Sequence, residues 1–384
     1  MSNTENKPSP AAKSPAGLEG VVAASSSVGD VDGTNGVLIY QGYDIHDLAE
    51  HSTFEETVYL LWHGRLPTGD ELAALRRELA ASSSLPEEVL AMMRRFPRDA
   101  EPMDALRTAV SALGFYDAGG RDLSREAALR TATRLTAQLP VVVAAFERLR
   151  KGEEPVAPRP DYNVASNFLY TLKGSEPSER EARIFDVCLI LHADHELNAS
   201  TFTARVVAGT LADMYGAVTA AVAALSGPLH GGANTNVMKM LLEIEDGPEG
   251  VKDWLGQALS QKKKIMGFGH RVYRTEDPRS VWLRRFSKEI GEERGETRWY
   301  EILETLRAAM FREKKLYPNV DYYSGSVYYL MGIPLDLFTP IFAVSRISGW
   351  TAHILEQYAN NRLIRPRAEY TGARGLKYVP IEER

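Results

Sequence analysis

Cysteine is almost absent from the 384-residue sequence: Cys188 stands alone, which excludes an intrachain disulfide and an all-cysteine metal site. Excess positive charge is also missing, since the formal net charge is −6, and this argues against general affinity for nucleic acid. The longest weakly polar stretch, 199–225, contains Arg205, Asp213 and two glycines, so it predicts packed helices rather than a membrane span. We therefore expect a cytoplasmic protein that binds neither nucleic acid nor membranes.

Helical spacing of apolar residues dominates the chain, and alternating polarity is scarce apart from a short strand-like piece at 37–40 between turns. The sequence therefore predicts a mainly α fold, and its length leaves room for two domains. We predict a disordered tail at 1–16, which lacks the apolar core of a signal peptide. The more charged stretch 228–325 is predicted to be a small domain, inserted into a large domain formed by 17–227 and 326–384.

Three short stretches hold titratable side chains beside glycine or proline. His230 stands between a proline and two glycines, His270 follows a Gly-Phe-Gly turn, and Asp321 follows a Pro-Asn-Val turn among tyrosines. Glycine lets the backbone approach a ligand closely. A partly desolvated carboxylate at 321 would be a weak acid and a strong base, suited to removing a carbon-bound proton. The alternative is an aspartate that accepts local backbone hydrogen bonds in a turn.

Arginines supply candidate anion-binding groups. Arg346 lies in an apolar helix with no acidic residue nearby in sequence, where a lone guanidinium is costly. Either a distant Asp or Glu or a bound ligand must meet this charge. Arg279 and Arg365 adjoin prolines that restrict the local backbone. Three arginines held in this way would suit a di- or tricarboxylate, because the planar guanidinium binds carboxylates through two hydrogen bonds.

The histidines raise a metal hypothesis. His192 and His195 have a spacing that fits neither order of the zinc-protease motif, and a single histidine is more often a core or capping residue. We therefore predict no metal site and assign His353 to the core. Apolar spacing places His195 on the apolar face of a helix predicted over 180–198, so we expect it to be buried or to line a cleft.

A Gly267-Phe268-Gly269 turn follows three lysines and is compatible with phosphate binding, with Arg271 and Arg274 supplying further charge. Its spacing matches neither a Walker A loop nor a dinucleotide fingerprint. The alternative for the lysine run is a solvated helix face.

Together and in this order, six motifs resemble those of citrate synthases. The stretches Gly-Leu-Glu-Gly20 and Ser52-Thr-Phe-Glu-Glu-Thr-Val58 also resemble the shorter, archaeal-like and Gram-positive-like members. The likeness extends from about residue 17 to the end of the chain. The motifs are His-Ala-Asp-His195-Glu, Gly-Pro-Leu-His230-Gly-Gly-Ala-Asn, Gly-Phe-Gly-His270-Arg-Val-Tyr-Arg-Thr-Glu-Asp-Pro-Arg279, Pro-Asn-Val-Asp321, Ser-Arg346 and Arg365-Pro-Arg. The resemblance implies an all-helical two-domain fold whose small domain closes over bound oxaloacetate.

The resemblance also implies an enzyme that condenses acetyl-CoA with oxaloacetate and hydrolyses citryl-CoA to citrate and CoA, at the entry to the tricarboxylic acid cycle. Asp321 would remove a methyl proton while His230 donates a hydrogen bond or proton to the thioester oxygen. His270 would polarise the oxaloacetate carbonyl. The residues implied to hold the oxaloacetate and citrate carboxylates are His195, Arg279, Arg346 and Arg365.

Arg365 corresponds to an arginine that the family donates from the partner subunit, so the resemblance implies a homodimer. No cofactor is implied, since acetyl-CoA is a co-substrate. The residues implied to bind CoA are Lys264, Gly267, Phe268, Gly269, Arg271 and Arg274. The near alternative is 2-methylcitrate synthase, which uses propionyl-CoA with the same residues. Alternatives of another class are a metal-dependent hydrolase and a non-catalytic regulator that binds an anion or CoA.

Overall fold

The structure is a computed structural model that describes residues 16–18 and 20–384. The predicted tail, 1–16, lies outside the described residues apart from Ala16. Sixteen α-helices form nearly all of the regular structure in the described part of the chain, so the prediction of a mainly α fold is confirmed.

The helices, in chain order, are α1 (Ile45–His51), α2 (Phe54–His63), α3 (Gly69–Ser82), α4 (Glu87–Met93), α5 (Pro102–Leu113), α6 (Arg125–Arg150), α7 (Val164–Lys173), α8 (Glu179–His192), α9 (Ala199–Ala208), α10 (Met214–Leu225), α11 (Ala233–Leu242), α12 (Val251–Ser260), α13 (Pro278–Arg294), α14 (Arg298–Lys314), α15 (Val320–Leu330) and α16 (Phe338–Ala359). Short 3-10 helices occur at Ala16–Leu18, Gly114–Tyr116, Gly247–Gly250, Leu335–Leu337 and Ile381–Glu383.

One small antiparallel sheet precedes the helices. β1 (Gly29–Asp32) pairs with β2 (Val37–Tyr40), and β2 pairs with β3 (Tyr43–Asp44). The strand predicted at 37–40 is present, but the residues before it form a partner strand rather than only a turn. Tyr40 is fully buried, and its hydroxyl donates to the Asp194 carbonyl oxygen at 2.9 Å. The sheet therefore packs against the loop that follows α8.

Local sequence explains where several helices begin. Thr53, Thr68 and Ser178 each accept a hydrogen bond from the backbone N–H three residues on, where a glutamate returns the bond. These reciprocal pairs satisfy N–H groups that a helix start otherwise leaves free. The starts of α2, α3 and α8 are thus encoded by side chains within one turn.

The central helix is α16. Nearly every side chain from Phe338 to Leu355 is buried, and the helix packs against α2, α5, α6, α8, α9, α10 and α11. A helix that is apolar all round is a core helix, because a surface helix keeps one polar face. Arg346 is 1% exposed in the middle of α16, so its charge is buried inside the protein.

The helix predicted over 180–198 was predicted too long. α8 ends at His192, and Glu196 in the following loop has a positive φ of 53°, which a right-handed helix does not allow. His195 therefore lies in a loop. It is still only 8% exposed, as the prediction of a buried or cleft-lining histidine required.

The predicted small domain, 228–325, contains α11 to α14 and the first part of α15, which pack on one another. Its predicted end falls inside α15, so the chain leaves this region without a break in the helix. The division into two domains remains a prediction. No helix among the described residues is both long enough and apolar enough to cross a membrane.

Candidate active site

A cavity of about 350 Å³ lies between the loop after α8, the segments before α11 and α13, and the helices α15 and α16. These elements are far apart in sequence and meet only in the fold. Six of the seven predicted catalytic and carboxylate-binding residues line the cavity: His195, His230, His270, Arg279, Asp321 and Arg346.

Arg346 carries an uncompensated charge. Its Nε donates to the His192 carbonyl oxygen at 2.7 Å, and its guanidinium carbon lies 4.7 Å from the centre of the Phe342 ring. Within residues 16–18 and 20–384 no Asp or Glu oxygen lies within 4.0 Å of its side-chain nitrogens. Burial lowers the pKa of Arg346 to about 10. The charges of Asp194 and Asp321 act on Arg346 only from beyond that distance. Arg346 therefore has no direct ion-pair partner within the described chain, and its guanidinium is available to an anionic ligand.

Arg279 differs because it already has a partner. Asp277 accepts from its Nε at 2.9 Å and from its Nη2 at 2.7 Å, and both side chains are buried. Burial alone would lower the pKa of Arg279, but the Asp277 charge and its hydrogen bonds outweigh burial and raise it. The sequence prediction missed Asp277, although it stands only two residues before Arg279. Its signal was an acidic residue immediately before the proline that starts α13.

The start of α9 determines which ring nitrogen of His230 carries the proton. Its Nε2 accepts from the backbone N–H of Ser200 at 3.2 Å and lies 2.8 Å from the Ser200 hydroxyl oxygen. Ser200 is in the first turn of α9, where N–H groups have no partner within the helix. A backbone N–H can only donate, so the neutral ring carries its proton on Nδ1. Burial and the charge of Arg346 lower the pKa of His230 to about 4.

His270 is fixed in the opposite tautomer. Its Nδ1 accepts from the backbone N–H groups of Val272 at 3.0 Å and Tyr273 at 3.1 Å. The neutral ring therefore carries its proton on Nε2. Burial and the charge of Arg279 lower the pKa of His270 to about 4. Both imidazoles are thus neutral hydrogen-bond donors at physiological pH.

His195 completes the histidine group. Its ring centre lies 5.2 Å from that of His270, and its Nε2 is 3.3 Å from the Tyr273 hydroxyl. Burial and the charge of Arg279 hold the pKa of His195 well below its ordinary value, so this ring is also neutral. Tyr273 and Ser200 were not among the predicted site residues, because nothing in the local sequence shows which histidine each one contacts.

Asp321 supplies an unpaired carboxylate to the cavity. It follows the N-cap Asn319 in the first turn of α15, and Asn319 Oδ1 accepts its backbone N–H at 3.1 Å. Its carboxylate has no hydrogen-bond partner in the described part of the chain. Burial raises the pKa of Asp321 to about 6. The alternative of a carboxylate that accepts turn hydrogen bonds is therefore not realised, and the group has the properties of a base.

The residues predicted to bind CoA divide into two groups. Gly267 and Gly269 have positive φ angles of 79° and 78° beside the cavity, and Phe268 packs against the Tyr322 ring with centres 4.6 Å apart. Of the predicted cations, Arg271 lines the cavity. Lys264 and Arg274 are exposed and lie outside its lining. The backbone N–H of Arg274 donates to Gly33 O at 2.7 Å, which joins this loop to the turn after β1.

Arg365 is not part of this cavity in a single chain. It lies after α16 and lines a separate surface cleft, together with residues 23–27 and 362–366. No group of three or more His, Cys, Asp and Glu side chains in the described residues could hold a metal ion.

Comparison with known proteins identifies the family. The family model for the citrate synthase C-terminal domain matches residues 17–367. The chain belongs to the citrate synthase family. Citrate synthase 2 of Bacillus subtilis is 56% identical over 369 residues, which cover 96% of this chain and 98% of that protein.

Solved structures of citrate synthases share the fold. The crystal structure of citrate synthase from Pyrobaculum aerophilum has a TM-score of 0.90 and 43% identity, covering 96% of this chain and 95% of that chain. The Thermoplasma acidophilum citrate synthase, in a ternary complex with carboxymethyl-CoA and oxaloacetate, has a TM-score of 0.90 and 35% identity, covering 96% of this chain and 98% of that chain.

These comparisons also separate two of the predicted activities. The 2-methylcitrate synthase of Shewanella oneidensis is 42% identical over 370 residues, 96% of this chain and 98% of that protein. Four curated relatives named citrate synthase are more similar, at 46–56% identity. The main prediction, a citrate synthase that condenses acetyl-CoA with oxaloacetate, is confirmed.

Proposed function

We propose that the cavity is the place of condensation, with Asp321 as the base and His230 and His270 as hydrogen-bond donors. The observation that supports this proposal is that the pKa of Asp321 and the pKa values of the two imidazoles are shifted in opposite directions. The pKa of Asp321 is raised to about 6, whereas the pKa values of both imidazoles are lowered to about 4. A carboxylate base that titrates near neutrality, beside two neutral donors, suits the formation of an enol from a thioester.

In the first step Asp321 takes a proton from the methyl group of acetyl-CoA. The electrons of the broken C–H bond form the enol double bond, and the thioester oxygen accepts a hydrogen bond or proton from His230 Nδ1–H. The Ser200 N–H donates to His230 Nε2 at 3.2 Å, so Nε2 carries no proton and Nδ1–H is the donor. His230 therefore acts as a donor whose orientation is set by the start of α9.

In the second step the enol carbon attacks the ketone carbon of oxaloacetate. The ketone oxygen accepts a hydrogen bond from His270 Nε2–H and takes one proton to become the hydroxyl of citryl-CoA. This proton balances the one that Asp321 removed from the methyl group, and any proton donated to the thioester oxygen returns to His230 as the carbonyl re-forms. Water then cleaves the thioester, which releases citrate and the free thiol of CoA. Closure of the small domain over oxaloacetate would exclude water before the C–C bond has formed.

The carboxylates of oxaloacetate bind, in this proposal, to Arg346, Arg279 and His195. Arg346 supplies a positive charge. In the described residues no Asp or Glu oxygen lies within 4.0 Å of its side-chain nitrogens. Arg279 is oriented by Asp277 and can share its remaining N–H groups with the substrate. The oxaloacetate bound by the Thermoplasma acidophilum relative is the ligand expected here.

We further propose a homodimer in which Arg365 of the partner subunit completes the carboxylate site. The support is its exposed position on the segment after α16, outside the cavity of its own chain. CoA would bind along the 264–274 loop, where the exposed cations Lys264, Arg271 and Arg274 can meet its phosphates. No cofactor takes part, because acetyl-CoA supplies the reacting carbon.

The test is oxaloacetate-dependent release of free thiol from acetyl-CoA, run beside propionyl-CoA. Cys188 is fully buried in the described structure, so the native protein contributes little thiol background. Asp321→Asn is the matched control, since it keeps the volume but removes the base. We expect thiol release to require oxaloacetate and to have the higher kcat/KM with acetyl-CoA. A higher kcat/KM with propionyl-CoA would favour the 2-methylcitrate reaction, and full activity of Asp321→Asn would refute the base.

A further inference from the structure

The loop that presents His195 has no regular structure of its own. It leaves α8 after His192 and passes through Glu196 at a positive φ of 53°, which is strained for a residue other than glycine. Asp194, between these residues, is completely buried. Contacts from elsewhere in the fold must therefore hold His195 at the cavity.

The central helix α16 approaches this loop unusually closely at Gly349. The Gly349 N–H donates to the Ala193 carbonyl oxygen at 3.1 Å. A Cβ at position 349 would lie 2.4 Å from that oxygen and 2.6 Å from Asp194 Oδ1. Only glycine allows this approach, so the helix backbone and the loop share a contact that excludes water.

One turn further along α16, His353 faces the same loop. It is completely buried, its Nε2 is 3.2 Å from Asp194 Oδ1, and its Nδ1 is 3.1 Å from Arg205 Nη1. A guanidinium can only donate, so Nδ1 is the acceptor and the ring carries its proton on Nε2, facing the carboxylate. These two atoms face each other as a close charge-pair contact, and neither makes a hydrogen bond within the described chain.

Asp194 also makes hydrogen bonds that hold the backbone on both sides of His195. Its Oδ2 accepts the backbone N–H of Glu196 at 3.1 Å, which closes a turn around His195. On the other side, the Tyr40 hydroxyl donates to the Asp194 carbonyl oxygen at 2.9 Å. The loop is therefore tied to β2 through its backbone and to α16 through the Asp194 side chain.

We propose that His353 and Asp194 are positioning residues that set the orientation of His195 for oxaloacetate. Neither residue lines the cavity, so both act through His195. The same helix face holds Arg346, whose Nε donates to the His192 carbonyl oxygen. One rigid helix thus fixes both the arginine and the loop histidine of the carboxylate site. This inference rests on the proposed role of His195 in binding oxaloacetate.

The experiment compares His353→Gln with His353→Asn. The glutamine amide can place a donor near the position of Nε2, facing Asp194. The shorter asparagine can still face Arg205 but does not reach Asp194. We expect His353→Gln to keep the oxaloacetate KM near that of the wild type. We expect His353→Asn to raise it about tenfold or more, with the acetyl-CoA KM unchanged, because a misplaced binding group costs substrate affinity.

Thermal unfolding of the same variants separates positioning from general stability. If His353 were only a packing residue, both variants would lower Tm and leave the oxaloacetate KM unchanged, and that result would overturn the proposal. If His353→Asn does not fold, Asp194→Asn replaces it, since it keeps the volume but weakens the acceptor that faces His353. A normal oxaloacetate KM in folded Asp194→Asn would likewise overturn the proposal.

A parallel His195→Asn variant distinguishes this inference from the proposed function. Unchanged oxaloacetate affinity in His195→Asn would refute the proposed role of His195 itself, and the positioning inference with it. Weakened affinity in His195→Asn together with normal affinity in His353→Asn would overturn the positioning inference alone.

Discussion

Asp277 holds Arg279 with both carboxylate oxygens, at 2.9 Å to Nε and 2.7 Å to Nη2. Asp277 Oδ2 also accepts the Val320 N–H at 3.1 Å, so the start of α13 is joined to the start of α15, one residue before Asp321. The two buried arginines of the cavity are therefore unequal. Arg279 is neutralised within the fold, whereas Arg346 has no acidic partner within 4.0 Å in the described residues.

This inequality predicts opposite effects on stability. Arg346→Leu removes an uncompensated buried charge, so we expect an unchanged or higher Tm without ligand and loss of the Tm increase that oxaloacetate produces. Arg279→Leu leaves Asp277 buried and unpaired, which costs about 3–5 kcal/mol. Calorimetric scans with and without oxaloacetate test both variants. An equal loss of stability in the two ligand-free variants would contradict the assignment of charges.

The raised pKa of Asp321 predicts a pH-dependent stability. The folded-state pKa of about 6 lies above the ordinary value of 3.8, so the fold favours the protonated form. This contribution is complete below about pH 4 and is lost as the pH rises through 6. Asparagine carries no charge, so Asp321→Asn should gain Tm relative to the wild type between pH 4 and 6 and keep that gain at pH 8. Asp253→Asn, at an exposed position of α12, is the control, and a pH-independent difference for Asp321→Asn would reject the raised pKa.

The same group should control the acid limb of the rate profile. His230 and His270, the two imidazoles proposed as donors, have pKa values lowered to about 4, so neither changes its charge between pH 5 and 9. We expect kcat/KM for acetyl-CoA, at saturating oxaloacetate, to fall below about pH 6 as Asp321 is protonated. Asp321→Glu should move this limb, because the carboxylate then has different surroundings. An acid limb near pH 7 that Asp321→Glu leaves in place would assign the titration to another group.

Gly267 predicts a steric effect near the proposed CoA loop. Its φ is 79°, and an added Cβ would lie 2.7 Å from Tyr322 Cδ2 and 2.8 Å from Val237 Cγ2. Gly267→Ala should therefore lower Tm and raise the KM for acetyl-CoA. Gly256, inside α12, has nothing within 4 Å of an added Cβ. Gly256→Ala should stabilise the protein by about 0.5–1 kcal/mol through helix propensity. Equal effects of the two substitutions would contradict the steric argument.

The proposed sharing of Arg365 between subunits predicts complementation. In a hybrid of one Asp321→Asn subunit and one Arg365→Ala subunit, one site would regain both its own Asp321 and Arg365 of the partner subunit. Hybrids purified through two different tags should recover about half of the wild-type activity, because one of two symmetry-related sites is complete. Each parent variant alone is the control. Inactive hybrids from folded subunits would mean that each chain uses its own Arg365.

Much of the cavity could be predicted from sequence, because the groups that do chemistry are rare and stand in distinctive surroundings. His230, His270 and Asp321 each stand close to glycine or proline, and Arg346 stands out as a charge in an apolar helix with no acidic residue nearby in sequence. The mainly α fold followed from apolar spacing. The end of α8 did not, because the apolar period continues to His195 although the backbone leaves the helix at His192.

The amino-acid sequence by itself determined the helical class and the set of acids, bases and arginines, because local spacing and residue chemistry are properties of the chain. Only the tertiary structure decided which arginine keeps an uncompensated charge and which nitrogen of each histidine carries the proton. Those properties depend on burial and on partners distant in sequence, such as Ser200 for His230 and the His192 carbonyl for Arg346. Apolar periodicity shows which face of a helix is buried, but it does not show which residues that face contacts.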